Sequence, residues 1–418
     1  MPNAPSETLD VVIAGGGVAG LAAALAISRL PGKPLSIALI DPAALPGTGA
    51  VPPPTAWDLR VYAMAPKVLA WLADLGLAPL LDTSRTQPIA EMHVAAGEPP
   101  RGLLLSAYEV GSTELAVVME EALLARALRT ALQVSARVRW IRGSVSTLKH
   151  AEGDDLVELG VDADGASQTL RARLLLGADG KHSRIRDLAG IPFTRTPYGQ
   201  TGVVAHFGSN RPHHGGAWQW FGADDVLALL PLPPSADTRS AAEDRTGHAL
   251  SMVWSMPSAQ AERWLADETG HAALHAALAE RVRAAGFELT RVSALAGFEL
   301  ALAKVPQPAN GRVLLIGDAA HGVHPLAGQG LNLGLHGVMA LHKALAEREP
   351  FRDCGDARVL ARAVRAHAER VAGMQLLTDQ LATLFHSTRP WGRWAAGAMN
   401  LLGYSHVLKS RLVRAALA

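Results

Sequence analysis

One stretch of the chain, GDAAHGVHPLAGQGLNLGLHG at 317–337, concentrates glycine, histidine and proline between a buried strand and a helix. The strand pattern GRVLLIGDAAH ends at Gly317 and Asp318. A carboxylate at the end of a buried strand costs free energy unless it forms hydrogen bonds, and a sugar or ribityl hydroxyl is a natural partner for it. Gly317 and Asp318 are therefore predicted to bind the hydroxyl-bearing part of a cofactor.

The glycine-rich residues that follow are predicted to face the reactive part of the same cofactor. A helix pattern, LNLGLHGVMAL, begins after them, so unpaired backbone N–H groups are expected at its start. A reduced flavin ring carries negative charge, which such a helix end would stabilise. The residues predicted to line the ring and take part in catalysis are Pro325, Gly328, Gln329 and Gly330, and cofactor contacts are expected to continue into Leu331 and Asn332.

A second glycine-rich turn lies near the start of the chain, in LDVVIAGGGVAGLAAALAISRL. Gly15, Gly17 and Gly20 have the Gly-x-Gly-x-x-Gly spacing between a strand and a helix, and Asp41 ends the next strand pattern. Such glycines let the backbone approach a pyrophosphate at a helix N-terminus, and the acidic residue accepts hydrogen bonds from a ribose. The motif alone does not distinguish NAD from FAD. With the later stretch, it predicts that the first loop holds the pyrophosphate and the second loop the redox ring.

A third candidate contact is LLLGADGKHSRIRDLAG at 174–190, a strand pattern that runs into a loop and a helix. Alone, an Asp-Gly pair such as Asp179 and Gly180 is usually only a turn. Its position after a buried strand and before a helix favours a ligand-facing strand end. Asp179 and Gly180 are therefore included among the predicted cofactor-binding residues.

The composition is that of an ordinary globular enzyme. The 418 residues carry a formal net charge of +1 and 49% are hydrophobic, which disfavours disorder and provides no broad basic surface for nucleic acid. The single cysteine, Cys354, cannot form an internal disulfide, so a cytoplasmic location is expected. The uncharged run from Val11 to Ile27 is interrupted by glycines, and is interpreted as the strand, turn and helix of the nucleotide site.

These elements predict an α/β fold: a Rossmann-like FAD-binding domain with an inserted, largely antiparallel β-sheet substrate domain and C-terminal helices. Strand patterns such as QTGVVAHF and HALSMVWSM occur between roughly 191 and 300, and VVMEEALLARALRTAL at 117–132 predicts an amphipathic helix. The expected domain boundaries are 1–75, 111–190 and 291–385 for the FAD-binding domain, 76–110 and 191–290 for the substrate domain, and 386–418 for a helical tail.

Two groups of residues leave alternatives open. His321 and His324 have a spacing that two metal ligands could use, but no third ligand is evident and no metal site is predicted. Trp218, Trp220 and Phe221 form an aromatic cluster on a strand of the second domain. They are as consistent with core packing between sheet and helix as with the wall of a substrate pocket.

The three motifs, in this order, resemble those of the class A FAD-dependent aromatic hydroxylases, whose familiar type is p-hydroxybenzoate hydroxylase. The segments YGQTGVVAHF, AWQWF, LALLPLP, LLIGDAAHGVHPLAGQGLNLGL and LLTDQLATLF are similar to those of the ubiquinone-biosynthesis hydroxylases. The resemblance extends over nearly the whole chain, and 317–335 is its most specific part. It implies a p-hydroxybenzoate hydroxylase-like fold with one FAD between two domains.

The resemblance also assigns roles to individual residues. It implies that Arg60, in DLRVYAM, contacts the FAD, and that Asp318 binds the ribityl chain. Asp179 and Gly180 would serve FAD and NAD(P)H together. The catalytic contribution of the glycine loop would be to line the flavin ring where oxygen reacts.

The chain departs from the family pattern in two places. Glu120, Glu121 and Ala122 stand where Glu-Asn-Arg is common, so an arginine contact with the cofactor is missing there, and Arg126, one helical turn on, is the expected substitute. The pair at 336–337 is His-Gly, where a polar-acidic pair is common. That change removes an interaction behind the glycine loop but leaves the loop intact.

The resemblance implies a complete reaction. FAD is reduced by NAD(P)H, O2 is captured as a flavin C4a-hydroperoxide, and the distal oxygen is transferred to the aromatic ring of a polyprenylated ubiquinone precursor. The open alternatives are a hydroxylase of the same fold acting on a soluble aromatic, a related flavin oxidoreductase, and a non-catalytic flavin-binding scaffold of a quinone-synthesis complex. Ring position, NADH against NADPH and oligomeric state are not predicted.

A lipophilic aromatic substrate implies contact with a membrane or a carrier. No acidic residue follows Asp379. The basic residues beyond it are Arg389, Arg393, Lys409, Arg411 and Arg414. This tail is expected either to touch the anionic inner face of a membrane or to pack as a helical cap on the FAD-binding domain. Peripheral membrane contact and membership in a quinone-biosynthesis complex are hypotheses, and a spanning helix is not expected.

Overall fold

A computed structural model describes residues 8–43, 57–96, 101–135, 137–150, 153–163, 165–234, 248–322 and 330–385. Several residues singled out above lie outside these ranges: Pro325, Gly328, Gln329, His324 and the tail 386–418. Their predicted roles therefore stay predictions.

The described residues form three sheets and the helices around them. In chain order the strands are β1 Thr8–Ala14, β2 Ile37–Asp41, β3 Val61–Met64, β4 Gln87–Ile89, β5 Glu91–Ala96, β6 Arg101–Ser106, β7 Ala116–Glu120, β8 Val138–Lys149, β9 Val157–Ala163, β10 Ala166–Gly177, β11 Thr194–Ser209, β12 Gly216–Phe221, β13 Val226–Leu232, β14 Ala249–Pro257, β15 Leu289–Arg291, β16 Ala296–Lys304, β17 Ala309–Asn310, β18 Val313–Leu315 and β19 His321–Gly322. The α-helices are α1 Val18–Ser28, α2 Pro66–Asp74, α3 Glu121–Ser135, α4 Arg184–Leu188, α5 Ser258–Leu265, α6 Glu268–Val282, α7 Gly330–Ala346 and α8 Ala357–Phe385. Within the described ranges, none of these helices is long and apolar enough to cross a membrane.

Five strands form the parallel core of the first sheet, in the spatial order β8, β2, β1, β10, β18. The antiparallel strand β9 joins β8 to β10, and β17 pairs with β18. From β1 the chain proceeds through β2 to β8 on one side, and later through β10 to β18 on the other. The strand order therefore reverses between β1 and β10. In doubly wound sheets, ligands bind beyond the carboxyl ends of the strands at such a point.

Helix α1 is buried on nearly every side, from Val18 to Ser28 with the exception of Ala19. Its sequence, VAGLAAALAIS, is apolar throughout, which is typical of a helix inside a core rather than on a surface. It contacts both α3 and α7 and belongs to the same hydrophobic cluster as they do. This packing fixes the start of α1 directly after β1.

The second sheet contains nine of the described strands and is antiparallel except for one pair, β5 and β12. Its order is β19, β16, β11, β14, β13, β12, β5, β6, with β15 beside β11. One face packs against α5 and α6, and the other contacts the small sheet formed by β3, β7 and β4. The predicted combination of a Rossmann-like sheet with a largely antiparallel sheet is thereby confirmed.

The second sheet extends past the predicted domain boundary at residue 291. Strand β16 pairs with β11 from Ala296 to Lys304, although the sequence assigns these residues to the FAD-binding domain. Strand β19, at His321, pairs with the end of β16. Pairing between residues so far apart in the chain leaves no local signature. The sequence pattern therefore does not indicate that β16 belongs to the second sheet.

Helix α3 begins later than the sequence pattern predicts. The predicted helix spans 117–132, whereas the structure has strand β7 up to Glu120 and the helix from Glu121 onward. Val117 and Val118 are β-branched, and both pair with β3 and β4 in the small sheet. Strand pairing therefore overrides the helical periodicity of the first four residues.

Candidate cofactor site

The glycine turn lies where the strand order reverses. Gly15 follows β1 and has a φ of +114°, and a Cβ there would collide with the carbonyl oxygen of Ala178, the residue after β10. A Cβ at Gly20 would collide with the carbonyl oxygen of Gly15. These two glycines therefore allow β1, β10 and α1 to meet in one place, as the Gly-x-Gly-x-x-Gly spacing predicts.

The start of helix α1 is open toward this meeting point. Gly17 is the N-cap residue, so no side chain bonds the amides of the first turn, and a Cβ there would meet no atom within 4 Å. The first turn contains no acidic residue. Unpaired N–H groups at a helix N-terminus attract anions, and the geometry fits a pyrophosphate.

Asp41 ends β2 beside the same turn. Its Oδ2 accepts a hydrogen bond from the amide of Gly16 at 2.5 Å, and its Oδ1 accepts one from the amide of Ala43 at 2.8 Å. These bonds fix the carboxylate at the edge of the nucleotide site. Each carboxylate oxygen has a second lone pair, so the predicted hydrogen bond from a ribose is compatible with this orientation.

Asp179 and Gly180 follow β10 on the other side of the glycine turn. The Asp179 carboxylate accepts hydrogen bonds from Ser183 Oγ at 2.5 Å and from the amide of Ile185 at 3.0 Å. Ser183 in turn accepts a hydrogen bond from the amide of Arg186 at 3.0 Å and so caps α4. The Asp179 side chain therefore organises this turn, and its contacts with FAD and NAD(P)H stay predictions.

Asp318 lies beyond β18, in a short turn of 3-10 helix at Gly317–Ala319. The residue is exposed, yet protein atoms around its carboxyl group are close enough that burial raises its pKa, and the charge of Lys181 lowers the pKa in part. Because β1, β10 and β18 are neighbours, the structure brings Asp318 to the same edge of the sheet as the glycine turn. Because the side chain is exposed at this edge, a ligand hydroxyl can reach the carboxylate and donate a hydrogen bond to it.

Helix α7 begins at Gly330 and continues through Leu331 and Asn332. The Asn332 side chain is 2% exposed and bonds to the backbone around β3. Its Nδ2 donates to the carbonyl oxygen of Ala63 at 2.8 Å, and its Oδ1 accepts from the amide of Ala65 at 2.9 Å. The side chain therefore anchors α7 to β3, which leaves the backbone at the helix start for the predicted cofactor contact.

Arg60 stands at the start of β3 in a cluster of ionisable groups. Its Nη1 lies 3.1 Å from Glu121 Oε1, while 63% of its side chain is exposed. Tyr62 donates its hydroxyl to Glu121 Oε2 at 3.2 Å. Burial raises the pKa of Glu121, Arg60 lowers it, and the carboxyl group of Asp318 raises it again. Glu121 therefore orients Arg60 and lies close enough to Asp318 for their charges to interact, and the exposed part of the guanidinium is accessible to a ligand.

Glu121→Gln should change how the stability of the apoprotein depends on pH. The pKa of Glu121 is raised above its ordinary value of 4.5 in the folded chain, so the folded state binds this proton more tightly than the unfolded state does. The stabilisation is complete below pH 4.5 and is lost as the pH rises through the folded pKa. The variant should therefore lose less thermal stability than the wild type between pH 4.5 and 7. Glu262→Gln, at an exposed position on α5, is the control, and equal losses in all three proteins would contradict the expectation.

Trp218 and Trp220 of β12 lie on the face of the second sheet that α5 and α6 cover. Trp218 and Trp220 are each 9% exposed, and the ring of Trp218 packs edge-on against Phe287 with centroids 4.7 Å apart. Phe221, at the end of the strand, is half-buried. Ala217 on the opposite face packs against the small sheet. The two tryptophans thus have the contacts of the core-packing alternative.

His321 pairs with a histidine that the sequence pattern does not indicate. Its Nε2 lies 3.1 Å from Nε2 of His367 on α8. Burial lowers the pKa of His321 to about 3 and that of His367 to about 4. Both rings are therefore neutral near pH 7, and one N–H donates to the other's lone pair. In the part of the chain that the structure describes, no group of three or more ligand side chains could hold a metal ion.

Sequence reasoning missed a buried ion pair next to the Arg60 strand. Glu120 is fully buried, and its two oxygens accept hydrogen bonds from Arg85, each at 2.7 Å. Its Oε1 also accepts from the amide of Asp58 at 2.7 Å, and His206 on β11 bonds to the Asp58 carbonyl oxygen at 3.0 Å. This network joins the small sheet to the second sheet. Its members come from separate segments, so no local spacing indicates them.

The described residues fit a flavin dinucleotide. A helix start suited to a pyrophosphate lies between Asp41 at the end of β2 and Asp318 after β18. A pyrophosphate flanked by a ribose on one side and a ribityl chain on the other matches this arrangement of one anion site and two hydrogen-bond acceptors. Glu121, which pairs with Arg60, also interacts with the charge of Asp318, so Arg60 belongs to the side of the site where the redox ring would be.

Comparison with known proteins identifies the family. A family model described as FAD binding domain matches residues 63–376. The chain is 31% identical over 392 residues to the ubiquinone hydroxylase UbiL of Rhodospirillum rubrum, a match that covers 91% of this chain and 82% of that protein. It is 28% identical over 361 residues to the 3-demethoxyubiquinol 3-hydroxylase of Escherichia coli, with 84% and 82% covered.

A solved structure supports the same fold. PqsL from Pseudomonas aeruginosa superimposes with a TM-score of 0.72 at 21% sequence identity, over 94% of this chain and 100% of that one. At that identity the likeness concerns the fold alone, so the family assignment comes from the sequence matches. The candidate cofactor site agrees with these sequence matches. The chain belongs to the family of FAD-dependent aromatic-ring monooxygenases that includes the ubiquinone-biosynthesis hydroxylases.

Proposed function

We propose that this FAD-dependent monooxygenase hydroxylates the aromatic ring of a polyprenylated ubiquinone precursor, using NAD(P)H and O2. The observation that carries the proposal is the similarity to the ubiquinone hydroxylase UbiL over 91% of the chain. A match of that extent includes the second sheet as well as the nucleotide-binding sheet. It therefore concerns the part of the protein that would meet the substrate, and not the cofactor-binding part alone.

The cofactor supplies the redox chemistry with NAD(P)H and O2, and the protein supplies binding and orientation. The turn at Gly15 and the start of α1 receive the pyrophosphate, and Asp318 accepts hydrogen bonds from the ribityl hydroxyls. Arg60, oriented by Glu121 at 3.1 Å, approaches the ring. We assign the exclusion of water from the reacting carbon to the second sheet.

The glycine loop before α7 is assigned to the ring itself. Pro325, Gly328 and Gln329 would line the ring where oxygen reacts, and Gly330 begins the helix behind them. Asn332 ties the start of α7 to β3, so the first residues of this helix are anchored. No acid or base is required of these residues, since they act by shape and by their backbone dipoles.

A polyprenyl tail makes the substrate insoluble in water, so the enzyme must take it from a membrane or from a carrier protein. The proposed contact is peripheral, from the cytoplasmic side. Segment 386–418 carries basic residues and tryptophans and no acidic residue, a composition that anionic lipid surfaces attract. A complex with other quinone-biosynthesis enzymes would meet the same need.

The quinone intermediates of a strain that lacks this gene test the proposal. Chromatography and mass spectrometry of lipid extracts should find a prenylated ring that is short of one oxygen. The wild-type gene should restore ubiquinone, and an Asp318→Ala gene should not. The accumulated compound would identify the ring position. Normal ubiquinone in the deletion strain, once a second gene of the family is excluded, would overturn the proposed substrate and leave the family assignment intact.

A further inference from the structure

Arg129 reaches the nucleotide turn from the side. It lies on α3, the helix that packs beside α1, and it is half-buried. Its Nη2 lies 3.5 Å from the carbonyl oxygen of Gly16, between the first two glycines of the motif. Helix α3 begins at Glu121, beside the cofactor site, and helical side chains lean toward the N-terminus of their helix. The guanidinium therefore points along α3 toward the open start of α1.

The contact with Gly16 uses little of what the guanidinium can donate. An arginine has five N–H donors, and this hydrogen bond is long and engages one of them. Among the described residues, no carboxylate lies within ion-pair distance of Arg129. A half-buried cation without a carboxylate partner, next to a helix start that attracts anions, indicates that the missing partner is an anionic ligand.

We propose that Arg129 binds the pyrophosphate of FAD and completes the anion site at the start of α1. A helix N-terminus contributes the equivalent of about half a positive charge, which leaves most of the charge of a pyrophosphate uncompensated. A guanidinium adds a full charge and donates two parallel N–H bonds to phosphate oxygens. Arg129 would thus hold the centre of the dinucleotide, between the groups assigned to Asp41 and Asp318.

The structure separates Arg129 from the arginine that the sequence suggests for this role. Arg126 lies one turn earlier on the same helix, and its charge acts on Asp82: the hydrogen bond from Ser84 lowers the pKa of Asp82, and Arg126 lowers it further. Among the described residues, the Arg126 side chain makes no hydrogen bond or ion pair with the glycine turn, whereas Arg129 does. Arg126 provides a matched control, with the same residue type on the same helix.

Titration of the apoprotein with FAD, followed by the quenching of flavin fluorescence, tests the proposal. Arg129→Gln should raise the Kd for FAD about tenfold or more, since a charge-assisted bond to phosphate is lost. Arg126→Gln should leave the Kd within about twofold of the wild type. ADP, which carries the pyrophosphate but no flavin, should compete less well for Arg129→Gln, and the Kd of this variant should depend less on salt. FAD binding does not depend on which ring is hydroxylated, so the result is independent of the proposed substrate.

Folding of the variants is checked by circular dichroism and thermal unfolding of the apoproteins. Arg129→Met keeps an unbranched apolar stem without the guanidinium, and it is the test variant if Arg129→Gln does not fold. A folded Arg129 variant that binds FAD and ADP as the wild type does would overturn the proposal. Equal weakening by Arg126→Gln and Arg129→Gln would overturn it too, because the effect would then belong to the charge of the helix as a whole.

Discussion

Replacing Asp318 with alanine should release FAD from the protein. The carboxylate lies after β18 at the sheet edge that holds the nucleotide turn, and burial raises its pKa, so its charged form gains from a bound hydroxyl group. A hydrogen bond to a charged group contributes about 1.5–3 kcal/mol, which corresponds to a Kd for FAD raised about 10- to 150-fold. A protein purified at micromolar concentration would lose its yellow colour.

The flavin absorbance that remains after gel filtration, and titration of the apoprotein with FAD, measure this loss. Asp318→Asn keeps an oxygen acceptor without the charge and should weaken binding less. Asp187→Ala, at an exposed carboxylate on α4, is the control and should retain flavin. Full retention of flavin in Asp318→Ala would mean that another group holds the ribityl chain.

Replacing Glu120 with alanine should have the largest effect on folding stability. The side chain is fully buried and accepts hydrogen bonds from Arg85 and from the amide of Asp58, all at 2.7 Å. Its removal leaves the Arg85 guanidinium, whose side chain is only 13% exposed, without its carboxylate. Removing one partner of a buried ion pair typically costs about 3–5 kcal/mol. The variant should unfold at a much lower temperature or fail to accumulate.

Thermal unfolding of the two single variants and the double variant separates the interaction between Glu120 and Arg85 from the packing of each side chain. Glu120→Ala and Arg85→Ala should each destabilise strongly, and the double variant should lose clearly less than the sum, because no uncompensated charge remains in it. Glu262→Ala, at an exposed position on α5, provides the comparison. Additive losses would mean that the two side chains stabilise the fold independently.

The parts of the site whose location in the fold the sequence indicates depend on neighbours in the chain. The Gly15 and Gly20 spacing specifies a tight turn between a strand and a helix, and the collisions that a Cβ would cause explain why glycine stands there. Asp41 and Asp318 each end a buried strand pattern. Parallel strands of one sheet have their carboxyl ends at one edge, so local reading of each strand is enough to bring these residues together.

The parts that the sequence does not predict depend on contacts between distant segments. Arg129 meets Gly16 only because α3 packs beside α1, and Arg85 meets Glu120 only because β4 and β7 pair. For the same reason the sequence does not indicate that the Asn332 side chain bonds to the β3 backbone. A single sequence shows which residues are polar. It does not show which of them will be bonded to residues that are distant in the chain.

Asn332 also has a consequence for how mutations in this protein would be interpreted. It binds the β3 backbone at Ala63 and Ala65, and β3 follows directly on Arg60. Two hydrogen bonds therefore join the start of α7 to the strand that follows Arg60. A genetic screen for colourless, inactive enzyme should recover changes at Asn332 alongside those at Asp318, although the Asn332 amide is committed to the chain's own backbone.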